Sequence, residues 1–132
     1  MKKIVAAGLL AMACASASAA WKSINTNTEF TQYINLDRLQ GTKATTVKVR
    51  ILTDYRIPKH TPSFIFLSTV GQAEYNCKEM ESRSVSTTGY VGNMGKGDVV
   101  YSDKRGMEWK PITPGSIDES ALIAACAAAP KK

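Results

Sequence analysis

The chain has 132 residues, enough for one compact domain and no more. Its composition is ordinary for a globular protein, 44 % hydrophobic and 21 % charged. The net charge of +6 is only mildly basic and no run of five basic residues occurs, which argues against a nucleic-acid partner.

The first twenty residues, MKKIVAAGLLAMACASASAA, differ from the rest. Lys2 and Lys3 make a positive start, an apolar run follows from Ile4 to about Ala13, and small residues close the segment. That three-part layout is a secretory signal peptide. The apolar run is shorter than the roughly 20 residues that a membrane span needs. Cleavage is expected after Ala19, with Ala20 nearly as suitable, giving a signal over residues 1–19 and a domain over 20–132. Loss of Lys2 and Lys3 lowers the net charge by two, to +4. The surplus could favour acidic partners or anionic surfaces, or simply solvate the surface. Cys14 lies inside this segment and is either discarded or lipidated. Ala13 suits a lipoprotein signal, whereas Met12 and Ala11 do not, so discard is the expectation. Membrane attachment follows only if Cys14 is lipidated.

Trp21 to Thr26 reads as a first strand, and FTQYINL (30–36) as a second with one face buried. DRLQGT (37–42) reads as a turn, with Gly41 free to take positive φ. ATTVKVRILTDY (44–55) is the clearest strand. Val47, Val49 and Ile51 share one face and Lys48 and Arg50 the other, the period-two pattern of a sheet with one wet face. RIPKHTP reads as a loop, punctuated by Pro58 and Pro62. Phe64 to Val70 is an apolar run suited to a central strand, Gly71 a bulge or break, and Ala73 to Met80 its resumption. ESRSVSTTGYVG alternates Arg83, Val85 and Thr87 against Ser84, Ser86 and Thr88, as a half-exposed strand does. GNMGKG reads as a flexible hairpin connection, DVVYSD as another strand, and KRGMEWKPITPG as irregular chain with Trp109 partly buried against the sheet.

The last element is a helix. Ser116 at the N-cap and Glu119 three positions on have capping-box spacing, and Asp118 and Glu119 suit the positive end of the helix dipole. Leu122, Ala125, Cys126 and Ala129 share a face. Pro130 stops the helix. A helix of about 12 residues is marginal alone in water and needs the sheet. Strands in sequence followed by one terminal helix make an α+β domain: an antiparallel sheet of about six strands with the helix packed on one face.

With Cys14 set aside, Cys77 and Cys126 remain, a number that can pair in an oxidising compartment. A Cys77–Cys126 bond would tie the helix to the strand that carries Cys77. Closing a loop of about 50 residues contributes roughly 4 kcal/mol in the chain-entropy model. Two free buried thiols are the competing reading.

The catalytic inventory is thin. His60 is the single histidine and its surroundings, RIPKHTPSF, hold no nucleophile motif. The carboxylates are scattered. GNMGKGD departs from the phosphate loop GxxxxGK[ST] in spacing and lacks the closing Ser or Thr. Two cysteines and one histidine are too few for a zinc site. The chain therefore reads as no enzyme, without cofactor or metal. Aromatic residues beside cations have the composition of a protein-binding patch, and Lys78, Arg83, Tyr90 and Lys96, which flank the Cys77 strand and its hairpin, are the candidates.

The segments QYINLDRLQG, VKVRILTDY, YNCKEMESR, GYVGNMGKG and EWKPITPGSIDESALIAAC, in this order and spacing, resemble the surface-adhesin protein E-like domain of Gram-negative bacteria over nearly all of the chain after the signal. The resemblance implies an antiparallel sheet with a C-terminal helix held by a disulfide. It also implies an exported, non-enzymatic binding domain, periplasmic or at the cell surface, whose partners are host plasma or extracellular-matrix proteins. The alternative is a soluble periplasmic domain that binds another envelope protein, as an inhibitor or assembly factor.

Overall fold

A computed structural model describes residues 21–43 and 45–129 of the chain. The expected signal segment with Cys14, and Pro130, lie outside the described residues. Among the described residues are seven strands and one α-helix: β1 (Trp21–Thr26), β2 (Phe30–Lys43), β3 (Thr46–His60), β4 (Ile65–Asn76), β5 (Glu81–Tyr90), β6 (Val99–Asp103), the two-residue β7 (Lys110–Pro111) and α1 (Ile117–Ala128). A single 3-10 turn, Asn93–Gly95, sits between β5 and β6. The strands form one antiparallel meander in the order β1-β2-β3-β4-β5-β6, and β7 pairs with the first residues of β5. The α+β architecture read from the sequence is the architecture observed.

Short side chains that bond their own backbone make the turns between these strands. Asn27 Oδ1 accepts from the amides of Glu29 and Phe30 between β1 and β2. Thr61 Oγ1 accepts from Phe64 N at the β3–β4 hairpin. Asn76 Oδ1 accepts from the amides of Lys78 and Glu79 after β4. Asn and Thr compete in this way with sheet ladders, which is why they stop strands.

Register assigns every side chain a face. Ile34 stands opposite Ile51, Val49 opposite Ala73 and Val47 opposite Tyr75. This face carries α1. Ile34, Val47, Val49 and Tyr75 are buried against Ala121, Leu122 and Ala125 of the helix, with Ile112 closing the side. The core is therefore the period-two face of β2–β4 against the period-3.6 face of α1. Ser116 caps the helix, accepting from Glu119 N at 3.3 Å. Cys77 and Cys126 form the disulfide, their Cα atoms 5.9 Å apart, a spacing that the bond accommodates.

Four local readings are corrected. The turn expected at 37–42 is strand: β2 runs on to Lys43, and its register against β3 shifts between Asn35 and Gln40 and again after Gly41. The turn residues mark an irregularity within the ladder. The loop expected at RIPKH is also strand. β3 reaches His60, and Pro58 falls in the stretch where the β3–β4 register skips from Asp54 to Lys59, a place that tolerates a residue with no N–H to donate. Conversely, β4 runs unbroken through Gly71 and stops at Asn76, four residues before Met80. Finally, β5 does not alternate cleanly. Its register with β4 shifts between Gln72 and Ala73, which face Ser86 and Ser84 and leave Val85 as the extra residue. A one-residue bulge reverses the side-chain parity beyond it. Arg83 and Tyr90, of opposite parity in the sequence, thus come to the same face of the sheet.

Candidate functional site

The second face of the sheet carries no described helix. Trp21, Asn35, Arg50, Gln72 and Ser86 form a row across β1 to β5. The Arg50 guanidinium lies over the Trp21 ring, 5.6 Å from its centroid, a cation–π contact that holds it in place. At one end of this face Glu74 is buried and meets Arg83 through Nη2 at 2.9 Å and Nε at 3.3 Å. Arg83 in turn lies over the half-buried Trp109 ring at 4.8 Å. At the other end the glycine-rich segment folds back over the sheet. Asp54 Oδ1 accepts from Asn93 Nδ2 and from Met94 N. Ser68 Oγ donates to Gly92 O and accepts from Gly95 N. Gly95, at φ +69, brings its backbone against Val70 and Leu52, where a Cβ would crowd Val70. The segment read as a flexible connection is thus tied by named bonds over a small apolar spot.

Between these ends lies an open groove of about 420 Å³, lined by Arg50, Gln72, Ser86, Thr88, Tyr90 and Lys104 with Val70 and Val85 beneath. A second cavity, about 280 Å³, opens on the helix side beside Tyr75, Asp118, Gln32 and Glu108. Burial, with a contribution from the Asp118 charge, raises the Tyr75 phenol far above its ordinary value. A third feature is aromatic. Tyr55 meets Phe30 and Phe66 edge-on, and Tyr101 stacks on Phe64 with ring centroids 4.8 Å apart. Lys59 lies over Tyr55 and is paired with Glu29.

The four candidate patch residues divide in two. Tyr90 lines the groove, and Lys96 is exposed on the glycine-rich segment next to it. Arg83 shares the face with Tyr90 but lies roughly 20 Å along the strand. Lys78 is exposed in the turn beyond β4, at that same far end. Sequence reading did not single out Arg50, Gln72 or Lys104. Arg50 had a visible signal, since its place on the wet face of β3 follows from alternation. Lys104 had none, because β6 brings it to the groove through pairing with β5. Tyr55 and Tyr101 spend much of their surface on one another's cluster.

His60 is exposed at the end of β3, opposite Ile65, and makes no side-chain hydrogen bond among the described residues. No group of His, Cys, Asp and Glu among the described residues has metal-holding geometry. No described helix is long and apolar enough to cross a membrane.

Comparison with known proteins places this arrangement. The family model described as surface-adhesin protein E matches residues 21–127. The chain belongs to the surface-adhesin protein E family. Among solved structures it is similar to protein E of Haemophilus influenzae, with a TM-score of 0.64 at 16 % identity over 83 % of this chain and 86 % of that one. A second structure, of protein E from non-typeable Haemophilus influenzae, gives a TM-score of 0.63 at 15 % identity, over 86 % and 79 % of the two chains. Identities this low establish a shared fold. No curated protein sequence matches the chain. Adhesin-E membership points to a binding protein.

Proposed function

We propose that this protein is an exported, non-enzymatic adhesin-E-type domain that binds host matrix or plasma proteins. The observation that carries the reading is the family match over residues 21–127. The signal-like residues 1–19 supply the route across the inner membrane, and the disulfide suits the oxidising side. The docking surface is the sheet face opposite α1, with Tyr90, Arg83 and Lys96 as contacts and Lys78 at its margin. Arg83, held by Glu74 and the Trp109 ring, loses little freedom on binding.

The test is direct binding of the purified disulfide-bonded protein to immobilised matrix and plasma proteins, paired with surface labelling on intact cells. Binding with labelling supports the proposal. No binding together with soluble periplasmic fractionation overturns it in favour of a domain that serves another envelope protein.

A further inference from the structure

The groove on the open face has a chemistry that the protein-docking reading does not use. Among the described residues its walls carry two cations, Arg50 and Lys104, and no carboxylate. Neither cation is spent on an ion pair among the described residues. Arg50 is restrained by the Trp21 ring, which leaves its charge uncompensated. The nearest acid to Lys104 in the chain, Asp103, is taken up by Arg105. Its two oxygens accept from Arg105 Nε at 3.0 Å and Nη2 at 2.9 Å, and Oδ1 also accepts from the Arg105 amide at 2.9 Å. The carboxyl of Asp103 is accordingly held down at about 2, first by those side-chain bonds. The other lining groups are the Gln72 amide and the hydroxyls of Ser86, Thr88 and Tyr90.

This inventory selects among ligand classes. The volume lies within the ~300–1,000 Å³ of ligand clefts. An extended peptide would ordinarily engage a sheet through a free backbone edge, and the strands at Arg50 and Thr88 have both edges paired. Arg50 is paired with Asn35 on one side and Gln72 on the other, and Thr88 with Val70 and Ser102. Recognition falls to side-chain hydroxyl, amide and cationic groups, which match a ligand rich in hydroxyls that carries a negative charge. The bulge at Val85 lies in the groove lining, and a bulge bends the strand that carries it.

We propose that this groove binds an acidic saccharide. Its anionic group sits between Arg50 and Lys104, and its ring hydroxyls meet Gln72, Ser86, Thr88 and Tyr90. The anion is a carboxylate or a sulfate, two groups with the same demand for charge-assisted donors.

The experiment is calorimetric titration of the purified disulfide-bonded protein with three tetrasaccharides: a heparin fragment, which carries sulfate and carboxylate, a hyaluronan fragment, which carries carboxylate alone, and a neutral chitin fragment. Polyglutamate of similar charge is the fourth probe. Binding of either acidic saccharide, weakened about tenfold in Arg50→Gln and in Lys104→Gln but not in Lys110→Gln, supports the proposal. Lys110 is exposed and lines the cavity on the helix side, so it reports general charge attraction. The heparin and hyaluronan arms then tell which anion is read. Equal losses in all three variants mean diffuse attraction and overturn the site. Tight binding of polyglutamate with none of the saccharides overturns the ligand class, and binding of the neutral fragment as tight as the acidic ones overturns the role of the cations. Lys104 is exposed, so its variant remains informative should Arg50→Gln lose stability. Matrix-protein binding that persists in these variants leaves the docking reading standing, so the two can fail separately.

Discussion

At the scale of single residues, two positions show how close packing converts identity into energy. Tyr75 is buried at 3 % exposure between Val47 and the helix, and its phenol is raised first by burial and then by Asp118. Folding therefore favours the protonated phenol. The associated stabilisation is complete below the unfolded value of about 10 and is lost as pH climbs above it toward the folded-state value. Urea unfolding of wild type and Tyr75→Phe across alkaline pH should show a constant gap up to about pH 10. Above that pH the gap should move in favour of the variant, which has no phenol to ionise on unfolding. Gly89 is the second case. It stands opposite Tyr101, whose ring occupies the space where a Cβ would be. Gly89→Ala should therefore displace Tyr101 from Phe64 and cost about 1–3 kcal/mol, as overpacked sites do. Denaturant midpoints measure the cost, and near-ultraviolet circular dichroism reports the broken ring stack.

At the scale of elements, α1 depends on what it touches. Twelve residues with a Ser116 cap and acids in the first turn form a helix of correct polarity, yet one too short to persist alone. Its buried contacts are small, two alanines and a leucine, so the helix sits close to the sheet and contributes modest apolar area. The disulfide supplies the difference by keeping the C-terminal turn near the end of β4 in the unfolded chain too. Replacing both cysteines, Cys77→Ser with Cys126→Ser, should cost about 2–5 kcal/mol. Reductant should bring wild type to the same midpoint, and amide exchange should rise first in α1. A different physics holds the glycine-rich segment. Met94 sits at φ +57, a left-handed conformation that a side chain seldom adopts. Asp54 and Ser68 bind the amides and carbonyl around it, and that local network offsets the backbone cost.

At the scale of the whole molecule, the helix divides the sheet into a dry face and an open one, and the candidate binding features fall on the open one. The asymmetry follows from topology. A meander with one terminal helix has a single layer to place on the sheet, so the second face is left to solvent, loops and partners. The export reading makes a prediction at this scale. Mass spectrometry of protein taken from its native envelope should give a chain that begins at Ala20 and weighs two hydrogens less than its reduced form. A lipid mass on Cys14 would replace soluble export with an anchored one.

Much of the architecture was legible along the chain because its signals are local. The alternation of Val47, Val49 and Ile51, the Ser116 and Glu119 spacing, the single pair of cysteines beyond residue 20 and the order of segments that carries the family resemblance can each be read without knowing where distant residues lie. The surface was less legible because it depends on register. The extra residue at Val85 turns Arg83 onto the face of Tyr90, β6 carries Lys104 to Arg50, and Asp103 turns to Arg105 and away from the groove. Sequence thus determined which residues are apolar, which are charged and the order of strands and helix, though not where each strand ends. Only the tertiary structure decided which face each charge occupies and which charges remain unpaired, because those depend on bulges and strand pairings between residues far apart in the chain.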